Sequence, residues 1–141
     1  MRHLALCSGI WHTLLMKLAA VSLIVPDYDA GIAFYCGIMG FELAEDFPQG
    51  DKRWVRVNPP GGGASFILAQ AATPQQSAAI GNQGGGRVWL FLQSDDFDSD
   101  YNRLNAAGVT FEETPRSEVY GKVAVFRDPF GNRWDLLGAP E

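Results

Sequence analysis

The sequence predicts an α+β domain built from two tandem βαβββ modules, and three observations support this. Apolar and β-branched residues alternate in short runs, which is typical of half-buried strands. Each half also contains one helical run that starts after an aspartate and ends at a glycine. The same order of elements occurs twice, with Asp27 and Asp96 69 positions apart and Gly40 and Gly108 68 positions apart. An internal duplication of this kind sets the architecture before any single motif is considered.

The first module is predicted from local patterns of strand, cap and turn residues. Residues 21–25 (Val-Ser-Leu-Ile-Val) alternate apolar side chains and form the first strand. Pro26 and Asp27 end this strand, because proline cannot continue a ladder and aspartate caps helices. A helix then runs over residues 30–39, and Gly40 terminates it. The remaining strands of this module are predicted at residues 41–43, 53–57 and 65–69.

A different composition separates the two modules. Residues 71–86 contain a Thr-Pro pair, two adjacent glutamines and a run of three glycines, which is typical of a short helix followed by a flexible linker. This glycine run lacks the Lys-Ser/Thr of a phosphate-binding loop. The second module is predicted to contain a helix at residues 97–107, a turn at 128–132, and strands at 88–93, 109–111, 122–126 and 133–137.

The composition indicates a globular protein and excludes two classes of partner. Hydrophobic residues make up 47% and charged residues 19% of the 141 residues, so the chain can bury a core. Lys and Arg number 11 against 16 Asp and Glu, a net charge of −5 with no basic run. We therefore expect no nucleic acid and no membrane partner, because both require clustered cations. Cys7 and Cys36 are interpreted as reduced thiols, which predicts a cytoplasmic protein.

The first residues of the chain are apolar and superficially similar to a signal peptide. Lys17 and His12 interrupt this apolar run, which stays shorter than the roughly 18 residues of a membrane span. Met16 followed by Lys17 resembles a natural start before the first strand, so the preceding residues are interpreted as an extension; an extra surface helix is the alternative. The predicted boundaries are an N-terminal extension at 1–15 and a single domain at 16–141, with modules at about 17–70 and 87–138 and the linker at about 71–86.

The paired modules resemble the vicinal oxygen chelate superfamily, which includes glyoxalase I, extradiol dioxygenases and bleomycin-resistance proteins. Residues 21–41, 96–108 and 128–136 carry this resemblance, which extends over about residues 17–138. It implies that the modules form a curled mixed sheet, a glyoxalase/bleomycin-resistance-like cradle with the helices on its convex side. It also implies a homodimer whose pockets are formed by both chains or by both halves. The fold hosts many reactions, so the resemblance does not name one.

Alternation along the strands then assigns side chains to the two faces of the cradle. The side chains expected to face the helices are Val21, Leu23, Val25, Leu90 and Leu92. The side chains expected to face the concave pocket are Ala20, Ser22, Ile24, Trp89, Phe91 and Gln93. A slip of one residue in register would exchange the two sets.

Metal-using members of the superfamily place one ligand on the first and one on the fourth strand of each module. The metal there acts as a Lewis acid or binds dioxygen. By resemblance, these positions fall on Ala20, near Ile67, on Val88 or Trp89, and on Asp135. Of these residues only Asp135 can ligate, and one carboxylate does not hold a catalytic divalent ion. We therefore expect no cofactor, and a divalent metal at an atypical site is the alternative.

Asp135 is the candidate catalytic residue. If the pocket closes over it, its pKa rises and it becomes a candidate general base. A solvated carboxylate, or one paired with an arginine, is the alternative. Gln93 can hydrogen-bond a ligand or lie at the surface. Tyr120 can gate the pocket or belong to a plain turn.

Aromatic and cationic side chains supply the other candidate ligand contacts. Trp89 and Phe91 can stack on a planar ligand or belong to the core. Trp54 and Arg56 share one face of a strand, where they can contact an anion or a planar ligand, or form an ordinary wet surface. The complete set of candidate ligand-binding residues is Ser22, Trp54, Arg56, Trp89, Phe91, Gln93 and Tyr120.

Two main function classes follow from these residues. The first is a small-molecule-binding protein without the divalent metal of the superfamily, which sequesters a planar or aromatic ligand. The second is a lyase, isomerase or dioxygenase-type enzyme with an atypical metal site, or with Asp135 as general base. A sensor, or a protein without chemistry, is a third class. Stoichiometric binding without turnover favours the first class, and metal-dependent turnover favours the second.

Overall fold

The computed structural model describes residues 15–140 and contains two mixed β-sheets. Sheet 1 contains β1 (Ala20–Val25), β2 (Glu42–Gln49), β3 (Lys52–Asn58) and β4 (Ser65–Gln70), in the spatial order β1-β4-β3-β2. Sheet 2 contains β5 (Val88–Gln93), β6 (Thr110–Phe111), β7 (Arg116–Glu118), β8 (Gly121–Arg127) and β9 (Arg133–Leu137), in the order β5-β9-β8-β6 with β7 paired to β8. The helices are α1 (Tyr28–Ile32), continued by a π-helical segment (Ala33–Ile38), α2 (Pro74–Ala79) and α3 (Phe97–Ala106).

The predicted α+β architecture is confirmed. In both sheets the first strand pairs in parallel with the last, as β1 with β4 and β5 with β9, and the other pairs are antiparallel. Neither sheet closes into a barrel within the described residues. The prediction missed β7 in the second module. This strand is three residues long and its side chains are all exposed, so it carries no apolar alternation that could have revealed it.

The first helix is less regular than the predicted helix at residues 30–39. It begins after Asp27, whose Oδ1 accepts a hydrogen bond from the backbone N–H of Ala30 at 2.7 Å. In the π-helical segment that follows, the N–H of Met39 donates to the carbonyl of Phe34 at 2.9 Å, five residues back. This wider turn explains why the apolar residues do not follow a regular 3.6-residue period.

Helix α1 lies unusually close to sheet 1 at Gly31. A Cβ at this position would lie 2.9 Å from Leu68 Cδ1 and 3.2 Å from Val25 Cγ1. Leu23 and Val25 are fully buried, Ile24 between them is half-buried, and Ser22 is exposed. The strand β1 therefore has the register that the alternation predicted, with its large apolar side chains toward the helix.

One apolar core joins the two modules. Trp134 of β9 is 1% exposed and lies at the centre of this core. Its ring centroid is 6.0 Å from Tyr35, 6.4 Å from Phe41 and 5.9 Å from Phe66, all in the first module. Packing of the two modules is therefore aromatic, and it buries the side of each sheet that faces the helices.

A buried carboxylate also connects the modules. Asp128 is 4% exposed, and its Oδ2 accepts hydrogen bonds from the Tyr35 hydroxyl at 2.5 Å, Asn132 Nδ2 at 2.9 Å and Trp134 Nε1 at 3.1 Å. Its Oδ1 accepts the N–H groups of Phe130 and Asn132, each at 3.0 Å. Burial, and then the Asp128 charge, raise the pKa of Tyr35, which keeps its donating proton. These bonds compensate the carboxylate for its loss of water.

The linker between the modules is held at two points. The Gln83 side chain accepts the N–H of Ile24 at 2.9 Å and donates to the carbonyl of Ser22 at 3.1 Å, so it covers the free edge of β1. Gly81 has a φ of +72°, and a Cβ there would lie 1.9 Å from the carbonyl oxygen of Phe130. The segment that composition predicted to be a flexible linker therefore contacts both modules.

Cys7, His12 and all of the predicted extension except Leu15 lie outside the described part of the chain, as does the start of the signal-like run. Of the residues just before β1, Leu15, Met16 and Leu18 are exposed. None of the helices in residues 15–140 has the length and apolar character needed to cross a membrane.

Candidate functional site

Each sheet has one face in the core and one face turned away from it. On β3, Val55 and Val57 are fully buried in the core and alternate with Trp54 and Arg56. On β9, Asp135 lies between the core residues Trp134 and Leu136. We define the outer face of sheet 1 by Ser22, Glu45, Trp54 and Arg56, and the outer face of sheet 2 by Phe91, Val125 and Asp135.

Asp135 is the most unusual residue on the outer face of sheet 2. It lies opposite Phe91 of β5 on one side and opposite Val125 of β8 on the other. The residue is only 7% exposed, and its Oδ1 is buried without a hydrogen-bond partner in the described residues. Phe91 beside it is 63% exposed. A carboxylate without water or donors is costly, so this position can gain from a donor brought by another molecule.

Burial is the main reason that the pKa of Asp135 is raised above its ordinary value. The Arg116 and Arg133 charges act in the opposite direction, and the Glu113 charge raises the pKa further. Both arginines are engaged by other carboxylates. Arg133 donates to both oxygens of Glu112 at 2.9 Å, and Arg116 pairs with Glu113 at 3.1 Å. Asp135 is therefore near positive charge without being directly hydrogen-bonded to it.

The outer face of sheet 1 carries a carboxylate in the opposite state. Glu45 Oε1 accepts hydrogen bonds from Trp54 Nε1 at 2.9 Å and from Arg56 Nε at 2.8 Å. These two hydrogen bonds lower the pKa of Glu45 below its ordinary value. The Arg56 guanidinium also lies 5.7 Å from the centre of the Trp54 ring, within the range of a cation–π contact. Phe47 lies opposite Trp54 on β2 and is 47% exposed.

The other predicted ligand contacts lie in three different places. Ser22 is exposed on β1, where Gln83 binds its carbonyl. Gln93 is exposed, and its side-chain amide donates to the carbonyl of Leu137 at 3.4 Å. Tyr120 is 56% exposed, in the turn between β7 and β8.

Trp89 lies apart from the other predicted contacts. It is half-buried beside the linker, and a Cβ on Gly84 would lie 2.7 Å from the Trp89 Cβ. The ladder between β5 and β9 shifts register between Val88 and Leu90, so Trp89 falls at an irregularity. Alternation along β5 is interrupted at this residue, which the sequence pattern did not reveal.

A cavity lies between the modules. We call this cavity of about 710 Å³ the inter-module cleft. Its floor includes Phe41, Phe66 and Trp134, and its wall includes the loop at residues 59–64. One end is polar and contains Ser94 and the residues at the start of α3.

The structure groups the predicted residues in pairs and does not bring them into one cavity. Phe91 and Asp135 are neighbours on sheet 2, and Trp54 and Arg56 are neighbours on sheet 1. Phe91 and Gln93 also line the inter-module cleft, and Trp89 lines a cavity of about 110 Å³. The remaining predicted residues line neither of these two cavities within the described chain: Ser22, Trp54, Arg56, Tyr120 and Asp135.

The residues at the metal positions of the superfamily do not fit a divalent ion. Ala20, Ile67 and Val88 or Trp89 carry no ligating atom, which leaves the Asp135 carboxylate by itself. Within residues 15–140, no group of three or more His, Cys, Asp or Glu side chains is arranged to hold a metal ion. Of these positions, only Asp135 could contribute a ligand to a metal held by other means.

Sequence reasoning missed the charged neighbours of both outer faces. Glu45 meets Arg56 across a hairpin whose register shifts between Leu43 and Glu45, so the pairing required the structure. Glu113 lies in a loop, and its Oε2 accepts the N–H of Val125 at 3.0 Å. The acidic residues on both sides of the arginines were the available signal, but no local spacing indicated which of them pair.

Comparison with known proteins agrees with this fold. A model of the Glyoxalase/Bleomycin resistance protein/Dioxygenase superfamily matches residues 17–136. An uncharacterized protein of Shewanella frigidimarina (strain NCIMB 400) is 52% identical over 120 residues, which are 83% of this chain and 89% of the relative. The structure of TnmS3, an antibiotic binding protein from Streptomyces sp. CB03234, is 30% identical with a TM-score of 0.73, and the match covers 89% of this chain and 98% of that one. The structure of UcmS2 is 29% identical with a TM-score of 0.76, over 88% of this chain and 98% of that one.

The chain therefore belongs to the Glyoxalase/Bleomycin resistance protein/Dioxygenase superfamily. This confirms the resemblance to the vicinal oxygen chelate proteins that the three sequence stretches indicated. The class includes both binding proteins and enzymes, so the function must be argued from the site.

Proposed function

We propose that this protein binds a small planar or aromatic molecule stoichiometrically, without turnover and without a divalent metal. The observation that carries the proposal is Asp135, a carboxylate that is 7% exposed and lies beside an exposed phenylalanine. Its buried Oδ1 has no hydrogen-bond partner among residues 15–140. Similarity to TnmS3, an antibiotic binding protein, supports a binding role. The poor fit of the metal positions supports a site that works without the ion.

The chemistry of the outer faces defines the ligand. Asp135 requires a hydrogen-bond donor, such as a phenol or an amide N–H, and a charged acceptor makes this bond stronger than a neutral one. Phe91 offers a ring face for stacking. On sheet 1, Trp54 and Arg56 offer an aromatic and a cationic surface. A planar ring system with a donor at its edge satisfies the outer face of sheet 2.

A second copy of the chain completes the site in this proposal. Every residue of β2 is exposed in the single chain, including Leu43 at 42% and Phe47 at 47%. Exposed apolar side chains on a sheet surface are typical of an interface. A homodimer would cover the outer faces and enclose a ligand between them. Light scattering at micromolar concentration tests this directly, since the expected mass is twice 15.4 kDa.

The cellular location in this proposal is the cytoplasm. This location rests on the interpretation of Cys7 and Cys36 as reduced thiols, which are typical of a reducing compartment.

The raised pKa of Asp135 favours a second candidate function, an enzyme with Asp135 as general base. A carboxylate whose pKa is raised by burial is a better base near neutral pH than an exposed one. The two candidates differ in turnover. An enzyme would convert its substrate with a rate that increases with pH as Asp135 ionises, and Asp135→Asn would abolish that rate.

The binding proposal is tested with a planar phenol and its methyl ether, 2-naphthol and 2-methoxynaphthalene. These probes share the ring system, but the ether lacks the donor. We expect 2-naphthol to bind more tightly than the ether, and Asp135→Asn to weaken 2-naphthol roughly tenfold while leaving the ether unchanged. Phe91→Ala should weaken both probes. Isothermal titration calorimetry measures the affinities, and chromatography of the recovered probe measures turnover.

A matched control uses Asp51→Asn, which removes a carboxylate from an exposed turn. Equal binding of phenol and ether, or no effect of Asp135→Asn, would refute the role of Asp135. Elemental analysis of protein purified without chelator, with thermal shifts in Mn²⁺, Fe²⁺, Ni²⁺, Zn²⁺ and EDTA, tests the metal-free part. A stoichiometric metal that is lost in Asp135→Ala would favour the lyase or dioxygenase alternative.

A further inference from the structure

The proposed function meets the inter-module cleft only at Phe91, which lines this cavity and also lies beside Asp135. Three aromatic rings form its floor, and Phe41, Phe66 and Trp134 are 4%, 7% and 1% exposed. Phe41 stacks on Phe66 with ring centroids 6.1 Å apart, and Trp134 meets Phe66 edge-on at 5.9 Å. The floor is therefore rigid and apolar.

Among residues 15–140, part of the apolar wall of the cleft is left uncovered. Val21 and Leu90 line the cleft from the first strands of the two modules, and both are only partly buried. Its volume of about 710 Å³ lies within the roughly 300–1,000 Å³ that is typical of sites for small organic ligands. An apolar cavity of this size has room for the ring system of such a ligand.

The charged residues at one end of the cleft determine which ligands fit. Three carboxylates line this end, from Asp95, Asp96 and Asp100, against the single guanidinium of Arg103 among the lining residues. Arg103 is already engaged, because Nη1 donates to the carbonyl of Ile38 at 2.8 Å and Nη2 lies 3.7 Å from Asp100. The local charge is therefore negative.

The three carboxylates differ in the hydrogen bonds that they accept. Asp100 accepts the Ser94 hydroxyl at 2.6 Å, and Asp96 caps α3 by accepting the N–H of Ser99 at 3.3 Å. Asp95 is exposed, and its side chain has no hydrogen-bond or ion-pair partner in the described residues. At the cleft end a cation would therefore meet the carboxylate of Asp95, which has no partner in the described residues, and two carboxylates that already accept hydrogen bonds.

We propose that the inter-module cleft binds a small organic cation, with an aromatic body on the Phe41–Phe66–Trp134 floor and an ammonium group beside Asp95. This site shares Phe91 with the outer face of sheet 2 but does not include Asp135, so it extends the proposed function and does not depend on it. The same charges disfavour ligands with a carboxylate, because like charges at the cleft end repel. Asp95 would supply the attraction, and the partly buried walls at Val21 and Leu90 most of the apolar contact area.

Three probes with one ring system test the charge preference. They are 9-anthracenemethylamine, 9-anthracenemethanol and 9-anthracenecarboxylate, which are cationic, neutral and anionic at neutral pH. Energy transfer from tryptophan to the anthracene ring reports binding, since Trp134 lies in the floor. We expect the cation to bind most tightly and the anion least. Equal affinities of the three probes would overturn the proposal.

Charge reversal at the free carboxylate tests the position of the ammonium group. Asp95→Lys should weaken the cation roughly tenfold, strengthen the anion and leave the alcohol unchanged. Asp51→Lys makes the same change of net charge in an exposed turn outside the cleft and should alter none of the affinities. Asp95→Lys and Asp51→Lys with equal effects would overturn the proposal.

Filling the cleft tests the position of the aromatic body. Ala64→Trp places a large side chain in the wall and should abolish binding of the cation and the alcohol, whereas Ala78→Trp on the exposed side of α2 should not. Circular dichroism confirms that both variants fold. Unchanged binding in Ala64→Trp would overturn the proposal. A second result would also overturn the proposal: the cation fails to bind the wild-type protein, and Ala64→Trp dissociates a dimer. A second copy of the chain would then occupy the cleft.

One further variant separates this site from the outer face of sheet 2. Asp135→Asn should leave binding of the anthracene cation unchanged, since Asp135 does not line the cleft. Loss of the cation in Asp135→Asn but not in Asp95→Lys would place the cation on the outer face and refute the cleft site. The naphthol experiment has its own readout, so either proposal can fail while the other stands.

Discussion

Sheet 1 and sheet 2 each place a carboxylate on the outer face, and the two carboxylates are in opposite states. Glu45 accepts hydrogen bonds from Trp54 and Arg56, and its pKa is lowered. Asp135 is buried, its Oδ1 has no partner in the part of the chain that the structure describes, and its pKa is raised. The modules share one topology, yet the first satisfies its carboxylate internally and the second leaves it open. A duplicated fold therefore fixes where side chains point without fixing what they bind.

The modules also contribute different residues to the interface between them. The second module supplies Asp128 and Trp134, and the first supplies the Tyr35 hydroxyl and aromatic packing partners. Tyr35 lies in the π-helical segment of the first module, whereas helix α3 of the second module is a regular α-helix. The irregular part of the first helix therefore lies where the modules meet.

Removal of the Asp128 carboxylate has the largest expected effect. Asp128→Ala leaves the Tyr35 hydroxyl, the Asn132 amide and the Trp134 indole N–H without an acceptor, and should lower the free energy of unfolding by roughly 3–5 kcal/mol. Chemical denaturation measures this. Tyr35→Phe removes one donor and should cost about 1–1.5 kcal/mol. If both variants cost less than that, Asp128 does not hold the modules together.

The contact between linker and second module is tested at Gly81. Gly81→Ala combines a φ of +72° with a Cβ that would lie 1.9 Å from Phe130 O, so we expect a loss of roughly 2–4 kcal/mol. Gly85→Ala is the matched control, because Gly85 has a φ of +67° and open space around it. It should cost about 1 kcal/mol from the backbone conformation alone. Thermal unfolding measures the stability of both variants. Equal losses of stability in Gly81→Ala and Gly85→Ala would indicate that the linker does not pack against the turn at Phe130.

Asp135→Asn tests the open carboxylate of the second module. Because the pKa of Asp135 is raised in the folded state, the folded protein retains this proton to higher pH than the unfolded chain does. Its contribution to stability therefore falls as the pH rises from about 4, the unfolded value, through the folded pKa. We expect Asp135→Asn to be more stable than the wild type at neutral pH, with a difference that shrinks toward pH 4. Urea unfolding across this pH range measures the difference, and an unchanged or lower stability at pH 7 would contradict it.

Glu45→Gln should show the opposite dependence and the smallest effect. The pKa of Glu45 is lowered by its hydrogen bonds from Trp54 and Arg56, so the ionised form contributes stability above the unfolded pKa. That contribution is lost as the pH falls through the folded pKa. The variant should therefore be slightly less stable than the wild type at neutral pH and equal to it in acid. The same sign in both variants would show that the two outer faces are electrostatically alike.

Much of the fold was predictable because its signals are local. Alternation marked β1 and β5, Asp27 and Asp96 marked the helix starts, and the turn at residues 128–132 followed from its Asp, Pro, Gly and Asn residues. The π-helical segment was not predictable, since its apolar residues fit no single period. The exposed strand β7 was missed for the same reason, as local alternation was absent.

The candidate site was predictable in part. Resemblance to the superfamily indicated that Asp135 lies on the pocket side of β9, and alternation along β5 predicted Phe91 on the pocket side of its own strand. Trp89 falls at a register shift in β5, and no sequence signal marks that shift. The partners of Arg56 and Arg116 depend on which strands and loops become neighbours, and that information is not local.

The sequence by itself determined the duplicated α+β fold and the superfamily, and resemblance to that superfamily indicated the position of Asp135. The fold depends on periodicity, caps and turns, which act over a few residues. The tertiary structure alone decided that Glu45 is satisfied while Asp135 is not, that Asp128 links the modules, and that a cleft opens between them. Each of these depends on side chains that are distant in sequence meeting in one register. A hydrogen bond or a cavity exists only when both sides have been positioned by the rest of the core.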